Sequence, residues 1–156
     1  MTDPFDAPWY ARLRDPRFRT IFLFGMASGL PSSLVFATLS IWLREEGVSR
    51  TSIGLFGIVA TPYAINFLWA PLVDRLRLPG LHGALGQRRS WILACQILLV
   101  PAVLLMGLQD PSRSAAALAA FALALSIFSA TQDVAIDAYR VEILDTEEYG
   151  AGAAVS

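Results

Sequence analysis

This sequence predicts an all-α polytopic membrane protein, on three observations. Hydrophobic residues make up 55% of the chain and charged residues only 16%, against about 25% charged residues in soluble domains; the mean hydropathy is +0.53. The charges are not spread as a solvated surface requires but gathered between long uncharged runs. Those runs lack strand-like alternation. In lipid each backbone polar group must be satisfied within its own segment, so helices are the remaining solution.

Four such runs can be read directly. Residues 20–43 lie between Arg19 and Arg44, 51–73 between Arg50 and Asp74, 90–109 between Arg89 and Asp110, and 114–132 between Arg113 and Asp133. Each approaches the ~20 residues that a helix rising 1.5 Å per residue needs to cross about 30 Å of hydrocarbon. The predicted organisation is an Arg-rich arm over 1–19, then helices over about 20–43, 51–73, 90–109 and 114–137. The first run is too long for a signal-peptide core and has no small-residue cleavage site before Arg44, so it reads as a retained helix. The small apolar residues Gly150, Ala151, Gly152, Ala153 and Ala154 read as the opening of a fifth helix, about 150–156. On this reading 20–156 is a partial N-terminal bundle, and a C-terminal half is its missing partner.

Arginine placement predicts orientation. All twelve basic residues are Arg, and nine of them (Arg12, Arg14, Arg17, Arg19, Arg75, Arg77, Arg88, Arg89 and Arg140) fall on one side of the predicted membrane. Only Arg44, Arg50 and Arg113 fall on the other. The positive-inside rule puts the N-terminus and the loop after Asp74 in the cytoplasm. Trp9 and Tyr10 suit a headgroup anchor beside the arm.

Several functions are disfavoured. A net charge of −1 speaks against a nucleic-acid partner. Cys95 stands alone in an apolar run, and His82 lies in a Gly-rich loop without metal-ligand or nucleophile–base spacing. No enzyme chemistry, cofactor or metal site is expected.

The helices differ in character. The first carries Gly25, Ser28, Gly29, Pro31 and Ser32, which suit either close packing through a small-residue face or a broken helix lining a cavity. The second carries Pro62, Asn66 and Pro71; Asn66 is costly in hydrocarbon unless a neighbouring helix bonds it. The third has Gln96 as its one strongly polar interior residue, which suits a lipid-facing position, and in the fourth Ala116, Ala120 and Ala124 form a smooth stripe for a partner helix.

The acids are the most informative residues. Asp133 and Asp137 stand four apart, on one helix face, where like charges repel, and near the predicted carbonyl end, where the macrodipole also disfavours anions. Asp74 ends the second helix under the same disadvantage, with Arg75, Arg88 or Arg89, or the positive N-terminus of a helix in the missing half, as compensation. Two roles follow for these carboxylates. One is a cytoplasmic charge cluster that latches a conformation, with Asp133 and Asp137 facing the loop arginines. The other is proton coupling, in which a desolvated carboxylate exchanges a proton near neutrality. Asp137, nearer water, fits the latch with Asp74; Asp133, with Gln132 beside it, fits coupling or solute contact.

The run Ala70-Pro71-Leu72-Val73-Asp74-Arg75 with Gly86-Gln87-Arg88-Arg89 resembles the loop signature of the major facilitator superfamily, with Ala70 for its first glycine and a longer insert. Gly25 to Pro31, Phe67 to Pro71, Ala130 to Asp133 with Asp137-Ala138, and Gly150 to Ala154 resemble the AmpG-type muropeptide permeases. That resemblance spans about residues 24–156 and implies a multi-pass protein of the bacterial inner membrane that imports N-acetylglucosaminyl-anhydromuramyl peptides with protons. The residues expected to meet proton or solute are Asp133, Gln132, Asn66 and Ser28, and those expected to form a cytoplasmic gate are Asp74, Arg75, Arg88, Arg89 and Asp137. The Gln-Asp pair is shared with acetyl-CoA transporters, so a facilitator for another anionic metabolite is the alternative. Where the family often has Lys this chain has Asn66. A non-transporting four-helix scaffold is the alternative of a different class.

Overall fold

In a computed structural model, residues 9–111 and 114–155 are described; residues 1–8, Ser112, Arg113 and Ser156 lie outside that description, as do the side chains of Trp9, Ala11, Thr51 and Leu55. The anchor expectation for Trp9 and the outer placement of Arg113 therefore fall outside the described residues. Among those residues every regular element is helical. The short α1 (Trp9–Arg12) leads to α2 (Pro16–Ser33), which starts with Asp15 accepting the Arg17 N–H and Pro16 at its first position. A π-helical segment (Leu34–Thr38) joins α2 to α3 (Leu39–Glu45), making one 30-residue apolar helix.

The second predicted helix is not continuous. It comprises α4 (Arg50–Phe56), a 3₁₀ turn (Gly57–Ala60), α5 (Thr61–Ile65), a second 3₁₀ turn (Asn66–Leu68) and α6 (Ala70–Arg75). Pro62 and Pro71 each stand in the first turn of a new helical piece, where a missing N–H costs nothing. Gly54 and Gly57 weaken the stretch before them. The sequence reading treated 51–73 as one helix because apolarity alone does not register these interruptions.

After the small α7 (His82–Leu85) come α8 (Gln87–Gly107) and α9 (Ala115–Ile143), an αα-hairpin and the most extensive packing in the molecule. The capped 3₁₀ turn Thr146–Glu148 then leads into α10 (Tyr149–Val155). Three helices, Pro16–Glu45, Gln87–Gly107 and Ala115–Ile143, are long and apolar enough to cross a membrane.

α9 runs well past the predicted end at 137, to Ile143, with Leu144 bonding back to the Arg140 carbonyl. Asp133 is therefore in the helix interior, and the macrodipole term assigned to it does not apply, because that effect is confined to the last turn. The third helix is not simply lipid-facing either: Ile92, Cys95, Leu99, Ala102 and Met106 are buried, while Ile97, Val100 and Leu104 are exposed. Ala116 and Ala120 are exposed; the buried face of α9 is carried by Leu118, Ala122 and Leu125. A side chain at Gly29 would meet nothing, so no helix approaches α2 closely at that position.

Apolar clusters lie at the two ends of the bundle. One unites Val35, Leu39 and Leu43 with Val59, Leu99, Met106, Leu118 and Leu125. At the other end, Val73 and Ile92 pack with Ile136 and Tyr139, beside a cluster of Phe18, Ile21, Leu144 and Val155. Between the ends α9 presents polar side chains.

Candidate functional site

The polar layer centres on Asp133, half-buried on α9. Ser28 of α2 donates its hydroxyl to Asp133 Oδ1, joining two helices that both pass through the apolar layer. Among the described residues no arginine forms an ion pair with Asp133. Its nearest electrostatic neighbours are Asp137 on its own helix, Tyr63 on α5 and Cys95 on α8. Gln132 is fully buried, and both ends of its amide lack a hydrogen-bond partner. It lies at the floor of an apolar groove of about 620 Å³ between α2 and α8, where Leu30, Pro31 and Gln96 also line the wall. A buried amide with neither donor nor acceptor used has a large desolvation cost, so Gln132 is poised for a further polar group.

Asn66 lies on an element that packs against α9. It opens the second 3₁₀ turn, its carbonyl accepting the Trp69 N–H at 3.2 Å. The structure thus joins Ser28 to Asp133, with Gln132 next to Asp133 along α9 and lining the groove.

The charged rim is a second site. Arg88 sits in the first turn of α8, where the macrodipole disfavours a cation. Two carboxylates offset that: Asp74 at the end of α6 pairs with its Nη1, and Glu142 on α9 accepts from its Nε at 2.7 Å. One guanidinium thus ties α6, α8 and α9 together. Gln87 closes the same junction by donating to the carbonyls of Val73 at 2.8 Å and Leu76 at 2.7 Å, which the end of α6 leaves without helical partners. Arg89 lies over the Tyr139 ring at 5.4 Å and donates to its hydroxyl at 2.9 Å. Arg75 is exposed and makes no ion pair among the described residues.

Asp133 and Asp137 do not face the loop arginines. Asp137 pairs with Arg140 at 3.0 Å along its own helix, and Asp133 is held by Ser28. The extra turn of α9 beyond the predicted end explains this, since it places Tyr139 and Glu142, not the aspartates, opposite Arg88 and Arg89.

A third cluster secures the start of α10. Arg17 donates to Glu148 at 3.0 Å and to the Ile143 carbonyl at 3.3 Å, while Asp145 and Glu148 form a reciprocal capping box. Arg17 also bonds Asp15 at 2.9 Å, and these hydrogen bonds hold the Asp15 carboxyl below the usual carboxylate range. Glu142, Tyr139, Gln87 and Arg17 were missed as site residues. Gln87 and the arginines were visible inside charged segments, but their partners lie 50 or more residues away for Arg88 and Arg89.

Comparison with known proteins agrees with this architecture. The family model described as acetyl-coenzyme A transporter 1 matches residues 18–114, more than half of the chain. The chain is 40% identical over 148 residues to the anhydromuropeptide permease of Escherichia coli K12, covering 94% of this chain and 29% of that protein. It is 36% identical over 134 residues to a Rickettsia felis protein named as transporter AmpG 4, covering 86% of this chain and 32% of the relative. The chain thus spans about a third of the length of the curated relatives it matches. Its apolar helices are those of a multi-pass membrane protein, and by these matches the chain belongs to the acetyl-coenzyme A transporter 1 family and, within that likeness, resembles the AmpG-type permeases.

Proposed function

We propose that this chain forms the first part of a proton-coupled secondary transporter of the major facilitator type, importing N-acetylglucosaminyl-anhydromuramyl peptides across the bacterial inner membrane. The observation that carries the substrate class is the 40% identity to an anhydromuropeptide permease along 94% of the chain. The observation that carries the coupling is Asp133, a carboxylate within a membrane-length helix whose bonded partner is a neutral hydroxyl. An anion so placed is expensive in the membrane, and a proton is the simplest compensation.

In this reading the chain crosses the membrane four times, the second crossing being the interrupted stretch 50–75, and α10 opens a fifth. The N-terminus and the Asp74–Arg88–Glu142 rim face the cytoplasm, as the arginine asymmetry favours. The rim latches one end of the bundle, while Ser28, Gln132 and Asp133 face solute or proton nearer the midplane, where such carriers place their sites. The acetyl-CoA reading keeps the same machinery and differs only in the solute; its support is the description of the matching family model.

The decisive experiment compares proton-driven uptake with counterflow in a full-length transporter carrying this chain. Asp133→Asn should lose accumulation against a gradient yet retain exchange, because a permanently neutral side chain cannot link a proton to the cycle. Continued pH-driven accumulation by that variant would remove Asp133 from the coupling role. Competition by muropeptide against acetyl-CoA separates the two solutes.

A further inference from the structure

Ser126, Ser129 and Asp133 follow one another at spacings of three and four on α9, which places them along one helix face. The hydroxyls of Ser126 and Ser129 are buried without hydrogen-bond partners. So is the Tyr63 phenol, which α5 brings against α9 between the two 3₁₀ interruptions of its span. The Tyr63 hydroxyl lies toward Ser129 and within electrostatic reach of Asp133, yet completes no bond to either. Buried hydroxyls are nearly always bonded, so several unbonded ones on one face mark a place where another hydrogen-bonding species belongs.

The chemistry of the carboxyl identifies that species. Ionised, Asp133 is an acceptor only, and Ser28 donates to its Oδ1. Protonated at Oδ2, it gains an O–H that must find an acceptor, while the bond from Ser28 loses its charge assistance. Ser129 Oγ and Tyr63 Oη have unused lone pairs, and Ser129 is one helical turn away. Gln132 faces elsewhere, into the groove between α2 and α8.

We propose that the Ser129–Tyr63 hydroxyl pair is the hydrogen-bond acceptor of protonated Asp133. On taking up a proton, α9 then shifts its bonding from Ser28 of α2 toward Tyr63 of α5. The inference rests on the reading of Asp133 as the coupling carboxylate. The titratable groups facing Asp133 are Tyr63 from α5, Cys95 from α8 and Asp137 from α9 itself, while α2 contributes the neutral Ser28.

The test is infrared difference spectroscopy between low and high pH on the whole chain in liposomes, reading the carbonyl stretch of protonated carboxyls. A band that vanishes in Asp133→Asn belongs to Asp133. In the Tyr63→Phe/Ser129→Ala double variant that band should move to higher frequency. It should also require a pH lower by about one unit, tenfold more protons, to reach half its height, because a bond to the neutral form favours that form. Thermal unfolding provides a second readout: the double variant should be less stable than the parent at low pH and not at high pH. A shift in only one single variant still supports the proposal and assigns the acceptor. An unchanged band and midpoint in the double variant overturn it, as does the lack of any Asp133-dependent band down to the acid limit of folding. If the band behaves as expected while Asp133→Asn still concentrates substrate in the full-length transporter, the coupling reading fails and the hydrogen-bond assignment stands.

Discussion

The molecule handles buried and boundary carboxylates in opposite ways. At the rim, Asp74 and Glu142 share the Arg88 guanidinium, and about half of each acid's surface remains in contact with the surroundings. In the polar layer, Asp133 has a hydroxyl from Ser28 and no ion pair among the described residues. The rim acids face a permanent cation, which lets one guanidinium hold three helical segments together. The inner charge is left with a hydrogen bond from a neutral hydroxyl. Clamping needs a fixed cation, whereas coupling needs its absence.

The largest effect should come from removing the inner charge. In a full-length transporter carrying this chain, Asp133→Asn should lower the accumulation ratio to about one under any imposed pH gradient while counterflow persists, since no linkage to the proton remains. Asp74→Asn should behave differently, shifting the balance of inward-open and outward-open states while uptake stays proton-dependent. If the two variants give the same pattern, the division between rim and polar layer is broken.

A smaller effect is expected from Arg88→Ala, which leaves Asp74 and Glu142 facing each other without a cation. Both acids are half exposed, so screening limits the effect to about 1 kcal/mol, roughly a fivefold shift between conformations. Double-electron resonance between labels on α6 and α9 would read that shift. Arg88→Lys should recover only part of it, because an ammonium cannot present the guanidinium fork to two carboxylates.

The attachment of α10 sharpens the comparison from a steric side. A methyl group at Gly152 would collide with Leu144 Cδ1. Because that atom is the end of a rotatable side chain, Gly152→Ala should cost about 1 kcal/mol, the low end of overpacking, measured by thermal unfolding in detergent. Smallest of all is Asp15→Ala, which removes the cap of α2. Asp15 is half-buried and its partner Arg17 is 40% exposed, so the loss should stay below about 1 kcal/mol. The sign of its pH dependence is set by its lowered position. The Asp15 contribution is present above its ordinary value of 3.8 and fades as pH falls through the lower native value. A wild-type minus Asp15→Ala stability difference that grows on acidification would contradict this.

Sequence alone determined the membrane class and the places where charge stops and lipid-compatible helix begins, because those depend on composition and on the length needed to span hydrocarbon. It also paired Asp74 with the loop arginines, since both lie within one short charged segment whose helix end needs a cation. Tertiary structure decided which arginine is used, and added Glu142 and Tyr139 from a helix that runs further than the uncharged run suggests. It likewise decided that the second uncharged run is interrupted, because a proline's effect on a helix depends on how neighbouring turns re-satisfy the freed carbonyls. Above all it gave Asp133 to Ser28, 105 residues earlier, and left Ser129 and Tyr63 unbonded beside it. Spacing along one helix shows which residues share a face, but only the packing of other helices determines what that face meets.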